Sequence, residues 1–90
     1  MEFEYDSAKA ALNLKKHGVT FEEAATVFGD PLAYTFADPD HFISEERWLI
    51  LGISRSTRLF AVIYTHRGEK YRIISARLAT NRERKIYEEE

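Results

Sequence analysis

Three apolar runs in the second half of the chain leave little choice of fold. Residues 47–53, 59–66 and 70–77 are rich in Ile, Leu, Val, Phe and Tyr. Only short segments separate them: residues 54–58, then Arg67-Gly68-Glu69. Runs of β-branched and aromatic residues at this length read as strands, and strands joined by so few residues pair antiparallel. Residues 32–36 read as an earlier strand, followed by a turn at Asp38-Pro39-Asp40-His41.

The period changes upstream. Phe3 and Tyr5 alternate with Glu2 and Glu4, which predicts a short edge strand. Asp6 or Ser7 then caps a helix, with Ala8, Ala11, Leu12 and Lys15 along one face and Gly18 at its left-handed end. Thr20 and Glu23 form a capping box that opens a second helix, apolar at Phe21, Ala24, Ala25 and Phe28. Gly29-Asp30-Pro31 stops it, because proline cannot continue a helix. Residues 79–90 make a last helix. The expected order is (β)ααββββα. This is an α+β domain with two N-terminal helices, an antiparallel sheet of three to four strands with an optional N-terminal edge strand, and a C-terminal helix. The helices are expected on one face of the sheet.

A 90-residue chain is expected to be a single domain over residues 1–90. Chains this short bury only about 60 to 65 % of their unfolded surface, so a partner would add to a modest core. There is no cysteine, which excludes disulfides and thiolate metal sites and fits a reducing cytoplasm. No apolar run approaches the ~18 residues of a membrane span, and Met1-Glu2-Phe3-Glu4 is unlike a secretion signal. A cytoplasmic protein without membrane contact is expected. Asp38-Pro39-Asp40-His41 resembles a hard-metal loop only superficially and reads as turn chemistry, so neither metal nor cofactor is expected.

The net charge of −2 conceals an asymmetry. From Arg47 to Lys85 there are ten Lys/Arg against two acids; from Met1 to Glu46 there are three against ten. A basic half implies an acidic partner or nucleic acid. In the strand Arg72-Ile73-Ile74-Ser75-Ala76-Arg77, simple alternation sets Tyr71, Ile73, Ser75 and Arg77 on one face. Lys70, Arg72, Ile74 and Ala76 take the other. Arg72 and Arg77 then do not clamp one phosphate, unless twist or a bulge brings them round.

Several side chains have the chemistry for work on a phosphodiester. His17 titrates near neutral pH when unperturbed, at about 6.5; it equally suits a helix end just before a Gly18 cap. Lys9, Asn13 and Lys16 fall at i, i+4 and i+7 on one helix face, either beside a substrate or simply solvated. Glu46 is either a base or the ion-pair partner of Arg47, and His66-Arg67 sits at a hairpin end. Tyr64, Tyr71 or Tyr87 can stack a base, whereas Trp48 in an apolar strand reads as packing. No Gly-rich phosphate loop, Ser-His-Asp spacing or paired-carboxylate site is present.

The sequence resembles the BrnT family of bacterial type II toxins over nearly its whole length. The resemblance rests first on Phe3-Glu4-Tyr5-Asp6, Lys9, Asn13, Lys16-His17-Gly18-Val19, Phe21-Glu22-Glu23-Ala24 and Val27-Phe28-Gly29-Asp30. It continues through Glu46-Arg47, Gly52, Tyr64-Thr65, the Arg72-to-Arg77 strand, and Glu83-Arg84 before Tyr87. Tyr5 and Ser7 depart from it, where the family often has tryptophan and proline.

The resemblance implies a small endoribonuclease, related in fold to RelE-type toxins, that arrests growth by cutting RNA. It also implies a cognate DNA-binding antitoxin of ribbon-helix-helix type, BrnA-like. Operator DNA would be bound only through a complex built around two toxin copies, which represses its own operon. Metal-free cleavage needs a base for the 2′-OH, a cation for the phosphoryl charge and an acid for the leaving 5′-oxygen. With the family pattern, the candidate catalytic residues are His17, Lys16, Glu46 and Arg77, the last as the transition-state cation. Candidate substrate contacts are Lys9, Arg47, Arg67, Arg72 and Arg84. A non-catalytic binding module built on the basic half is the alternative.

Overall fold

The first strand of the chain, β1 (Glu2–Glu4), lies beside the last, β5 (Lys70–Leu78), and parallel to it. The computed structural model describes residues 1–38 and 46–89. After β1 come helices α1 (Ser7–His17) and α2 (Phe21–Ala25), then a 3-10 turn at Thr26–Gly29. Strands β2 (Tyr34–Ala37), β3 (Trp48–Ile53) and β4 (Leu59–Arg67) precede β5, and α3 (Asn81–Glu89) follows it. The sheet order is β1-β5-β4-β3-β2, with every pairing except β1–β5 antiparallel. The sheet is therefore five-stranded and mixed, not an antiparallel sheet of three to four strands. The edge strand exists, and it is parallel because the whole domain intervenes between β1 and its partner.

The helices do not share one face, contrary to expectation. Val19, Phe21, Ala24 and Val27 pack with Ile50, Phe60, Val62, Tyr64, Ile73 and Ala76. On the opposite face Leu49, Leu51 and Ala61 are covered by Ala79, Ile86 and Tyr87 from the α3 region. β3 is apolar at consecutive positions, Trp48-Leu49-Ile50-Leu51, so each of its faces must be covered. Gly52 of β3 passes so close to the 3-10 turn that a Cβ there would lie 3.1 Å from Val27 Cβ. Phe28 works from that turn rather than from a long second helix. Its ring stacks 5.1 Å from Tyr71 and meets Phe3 at 5.0 Å and Tyr64 at 4.9 Å.

Two carboxylates fasten the layers. Glu23 accepts from Arg58 Nη2 at 2.8 Å and from Ser54 Oγ at 2.6 Å, with Ser56 Oγ as a third donor. These bonds, Arg58's first, hold its pKa down at about 2, against an opposing effect of burial. Asp30 accepts from Ile53 N–H at 2.8 Å, Leu32 N–H at 2.9 Å and Tyr87 Oη at 2.6 Å, which ties α3 to β3. Burial pushes its pKa up, but the three donors outweigh it and the net shift is downward.

α1 turns a face to the protein that its apolar periodicity does not mark. Ala8, Ala11, Leu12 and Lys15 are exposed; Ala10 packs on the core and Asn13 is buried. The Asn13 amide explains the rotation. Its Nδ2 donates to Ala76 O at 2.8 Å and to Val19 O at 2.9 Å, while its Oδ1 accepts from Ala76 N–H at 3.1 Å. Asn13 thus bonds both backbone groups of Ala76 on an edge of β5 that, among the described residues, no strand covers.

β5 contains one irregularity that rearranges its charges. Ile63 pairs with Ser75 and Tyr64 with Ile73, so Ile74 is passed over in a bulge. A bulge reverses the alternation beyond it. Ile73 and Ala76 consequently enter the same core. Arg72, opposite Thr65, and Arg77, opposite Ala61, share the α3 face of the sheet. The expectation that they point to opposite faces is overturned.

Candidate active site

The groove beside α1 begins with the helix ends. Asp6 caps the N-terminus by accepting from Ala8 N–H at 2.8 Å and Lys9 N–H at 3.1 Å. Those N–H groups lower its pKa, and the charges of Lys9 and Arg72 add to the effect. Gly18, at φ 70°, closes the C-terminus by donating to Leu14 O at 2.8 Å. Lys15, Lys16 and His17 fill the last turn, where the helix dipole favours positive charge.

A groove of about 610 Å³ opens between this helix and β5, lined by Lys9, Leu12, Asn13, Lys15, Lys16 and His17 with Ile74 and Ser75. The bulged residue forms part of its floor. Arg77 lies two residues beyond Ser75, about 7 Å along the strand, and Arg72 lies the other way. The spacing of Lys9, Asn13 and Lys16 thus correctly marks one face, but Asn13 serves the fold there. Lys16 and His17 have no side-chain hydrogen bond or ion pair among the described residues.

The arginines near the groove are already engaged. Arg72 Nη1 donates to Glu4 Oε2 at 2.9 Å, across the parallel pair. Arg77 grips Glu83 with two bonds, of 2.7 and 2.9 Å, and also donates to Leu78 O at 3.3 Å. Glu83 further accepts Thr80 N–H at 2.9 Å in a capping box that starts α3. Its pKa is lowered chiefly by Arg77, and that of Arg77 is raised chiefly by Glu83. Among the described residues, three of the five guanidinium N–H groups of Arg77 are engaged, and the charge of Asp38 also acts on it. Arg84 on α3 approaches Glu88 at 3.9 Å.

The other candidates disperse. Glu46 and Arg47 precede β3, two strands from β5, so about 10 Å of sheet separates them from the groove. The backbone carbonyl of Glu46 accepts from Thr65 Oγ1 at 2.5 Å. Arg67 ends β4 opposite Lys70, on the same sheet face as Arg72. His66 occupies the other face, its ring 4.9 Å from Tyr71. Tyr64 is buried and its pKa raised by that burial, while Tyr87 is held by Asp30, so neither ring lies open for stacking. Trp48 packs on the core. Of the Asp38-to-His41 turn, Asp38 is buried with its N–H bonded to Arg47 O at 3.0 Å; Pro39, Asp40 and His41 lie outside the described residues.

Sequence reading missed two acids that meet arginines, Glu4 with Arg72 and Glu23 with Arg58. Both are far from their partners in the chain. The parallel pairing of β1 with β5 is the signal that would have found Glu4, since it sets Glu4 directly opposite Arg72.

The arrangement is that of a small α+β domain with a lysine-lined groove beside an arginine-bearing strand. Residues 5–83 match the family model described as ribonuclease toxin, BrnT, of type II toxin-antitoxin system. The chain belongs to the BrnT family. It is also similar to the Brucella abortus ribonuclease toxin BrnT, known from a 1.1 Å crystal structure. The two share 25% identity at a TM-score of 0.70, over 90% of this chain and 99% of that one. Among curated proteins, none matches.

Proposed function

We propose that this toxin is a metal-independent endoribonuclease whose substrate lies along the α1–β5 groove. The observation that carries the reading is the bulge at Ile74. It turns Arg72 and Arg77 to the same, α3, face of the strand whose bulged residue floors a groove bearing Lys9, Lys16 and His17. The cationic lining favours phosphate over a metal ion. His17 exchanges the proton at the 2′-OH or the leaving oxygen. Lys16 and Arg77 neutralise the phosphoryl oxygens, where charge-assisted bonds are strongest. Lys9 and Arg72 hold the flanking backbone. Glu46 has no part in this groove; with Arg47 and Arg67 it borders a more distant stretch of RNA, and Arg84 extends that surface.

Family membership supports the rest of the proposal. Growth arrest results from RNA cleavage in the cytoplasm. A ribbon-helix-helix antitoxin neutralises the toxin, and a complex holding two toxin copies represses the operon. The fold is related to RelE-type toxins. No helix among the described residues is long and apolar enough to cross a membrane.

Separate His17→Ala and Arg77→Ala variants test the assignment. A catalyst loses about 10²- to 10⁴-fold in cleavage at His17 while RNA affinity stays within a few-fold. A pure binding module has no cleavage to lose, and its affinity falls in graded, salt-dependent steps.

A further inference from the structure

The apolar stripe of α1 faces outward. Leu12 is 66% exposed, although the helix has a buried side available. Asn13 decides this by turning toward Ala76, which leaves Leu12 on the groove wall next to Ile74 of the bulge. The wall and floor are therefore mostly apolar. Lys9, Lys15, Lys16 and His17 stand around them, and no carboxylate is among the described lining residues. An RNA backbone calls for the lysines but gives no reason to keep a leucine in water. A peptide with an apolar side chain flanked by carboxylates accounts for both, since burying Leu12 removes apolar surface from water while the lysines meet opposite charge.

We infer that the antitoxin inserts such an apolar–acidic segment into the α1–β5 groove, with Leu12 and Ile74 as its anchor. This rests on the reading of the groove as the RNA site and adds how it is shut off. The segment covers Lys16 and His17, so antitoxin and RNA exclude one another.

The test uses full-length toxin co-expressed with its cognate antitoxin. Leu12→Glu places a carboxylate at the anchor without touching the groups assigned to cleavage. It should weaken antitoxin capture by about 30-fold or more, the loss of a central anchor, while circular dichroism matches wild type. In the wild-type complex, Lys9, Lys15 and Lys16 should be protected from an amine-acylating reagent relative to free toxin, with Lys85 on α3 unchanged. Undiminished capture of the Leu12→Glu protein, or equal reactivity of the three lysines in both states, overturns the proposal. If wild-type toxin leaves RNA intact, the ribonuclease reading fails, while capture and footprint still decide the docking surface.

Discussion

Asn13 takes the place of a neighbouring strand for Ala76, and no aliphatic side chain can copy it. Asn13→Ala removes three hydrogen bonds and strands the Ala76 N–H and C=O at a buried edge. At about 1 kcal/mol per bond plus the cost of unpaired groups, the loss should be about 2 to 4 kcal/mol in chemical denaturation. Asn13→Asp should be no better, because an ionised carboxylate faces the carbonyls of Val19 and Ala76. The i, i+4, i+7 spacing made the shared face of Lys9, Asn13 and Lys16 legible. The inward turn of Asn13 was not legible, because its partner lies 63 residues away.

Glu23 is the other residue whose loss has a defined signature. Its folded pKa of about 2 lies below the ordinary carboxylate value of 4.5. A depressed pKa contributes stability that is fully present above the unfolded value and is lost as pH falls through the folded one. Glu23→Gln should therefore lower stability at pH 7 and flatten the acid limb between about pH 4.5 and 2. A melting series over that range reads the difference; parallel curves for the two proteins would remove the Glu23 contribution from the account.

At the scale of elements, strands were easier to read than their surroundings. Apolar runs and short turns located β3, β4 and β5 to within a residue or two, because local composition decides them. The bulge was hidden, since Ile73 and Ile74 are interchangeable in a pattern and only pairing with β4 chooses which is passed over. The face taken by α3 was hidden too, because its cover for Leu49 and Leu51 depends on both sides of β3 needing burial. One turn carries visible strain. Thr57, between β3 and β4, has φ 63°, a left-handed conformation that a β-branched residue adopts at a cost. Thr57→Gly should relieve it and raise stability by about 1 kcal/mol, or roughly 4 to 8 °C in Tm for a domain of this size. An unchanged or lower Tm would mean that the bonds around Thr57 outweigh the strain.

At the scale of the molecule, folding redistributes the charge asymmetry that the sequence displays. Acids of the N-terminal half cross over to arginines of the C-terminal half, Glu4 to Arg72 and Glu23 to Arg58, and Glu83 takes Arg77. The basic half is thus partly neutralised from within. The groove's cations come from α1, in the half that reads as acidic overall. Net charge by segment could not reveal this, because it sums residues that topology separates. The resemblance of Lys16-His17-Gly18 and Ile74-Ser75-Ala76-Arg77 to one family named both walls of the groove without showing that they face each other. What joins them is the parallel return of β5 to β1 and the Asn13 clasp.

The most direct measurement is to incubate purified, antitoxin-free protein with a long RNA in EDTA across a pH series, beside the His17→Ala variant. Wild type should give discrete fragments despite the chelator, and the variant little or none. RNA that stays intact with wild type at every pH, or fragments that appear equally with both proteins, would contradict metal-independent cleavage through His17.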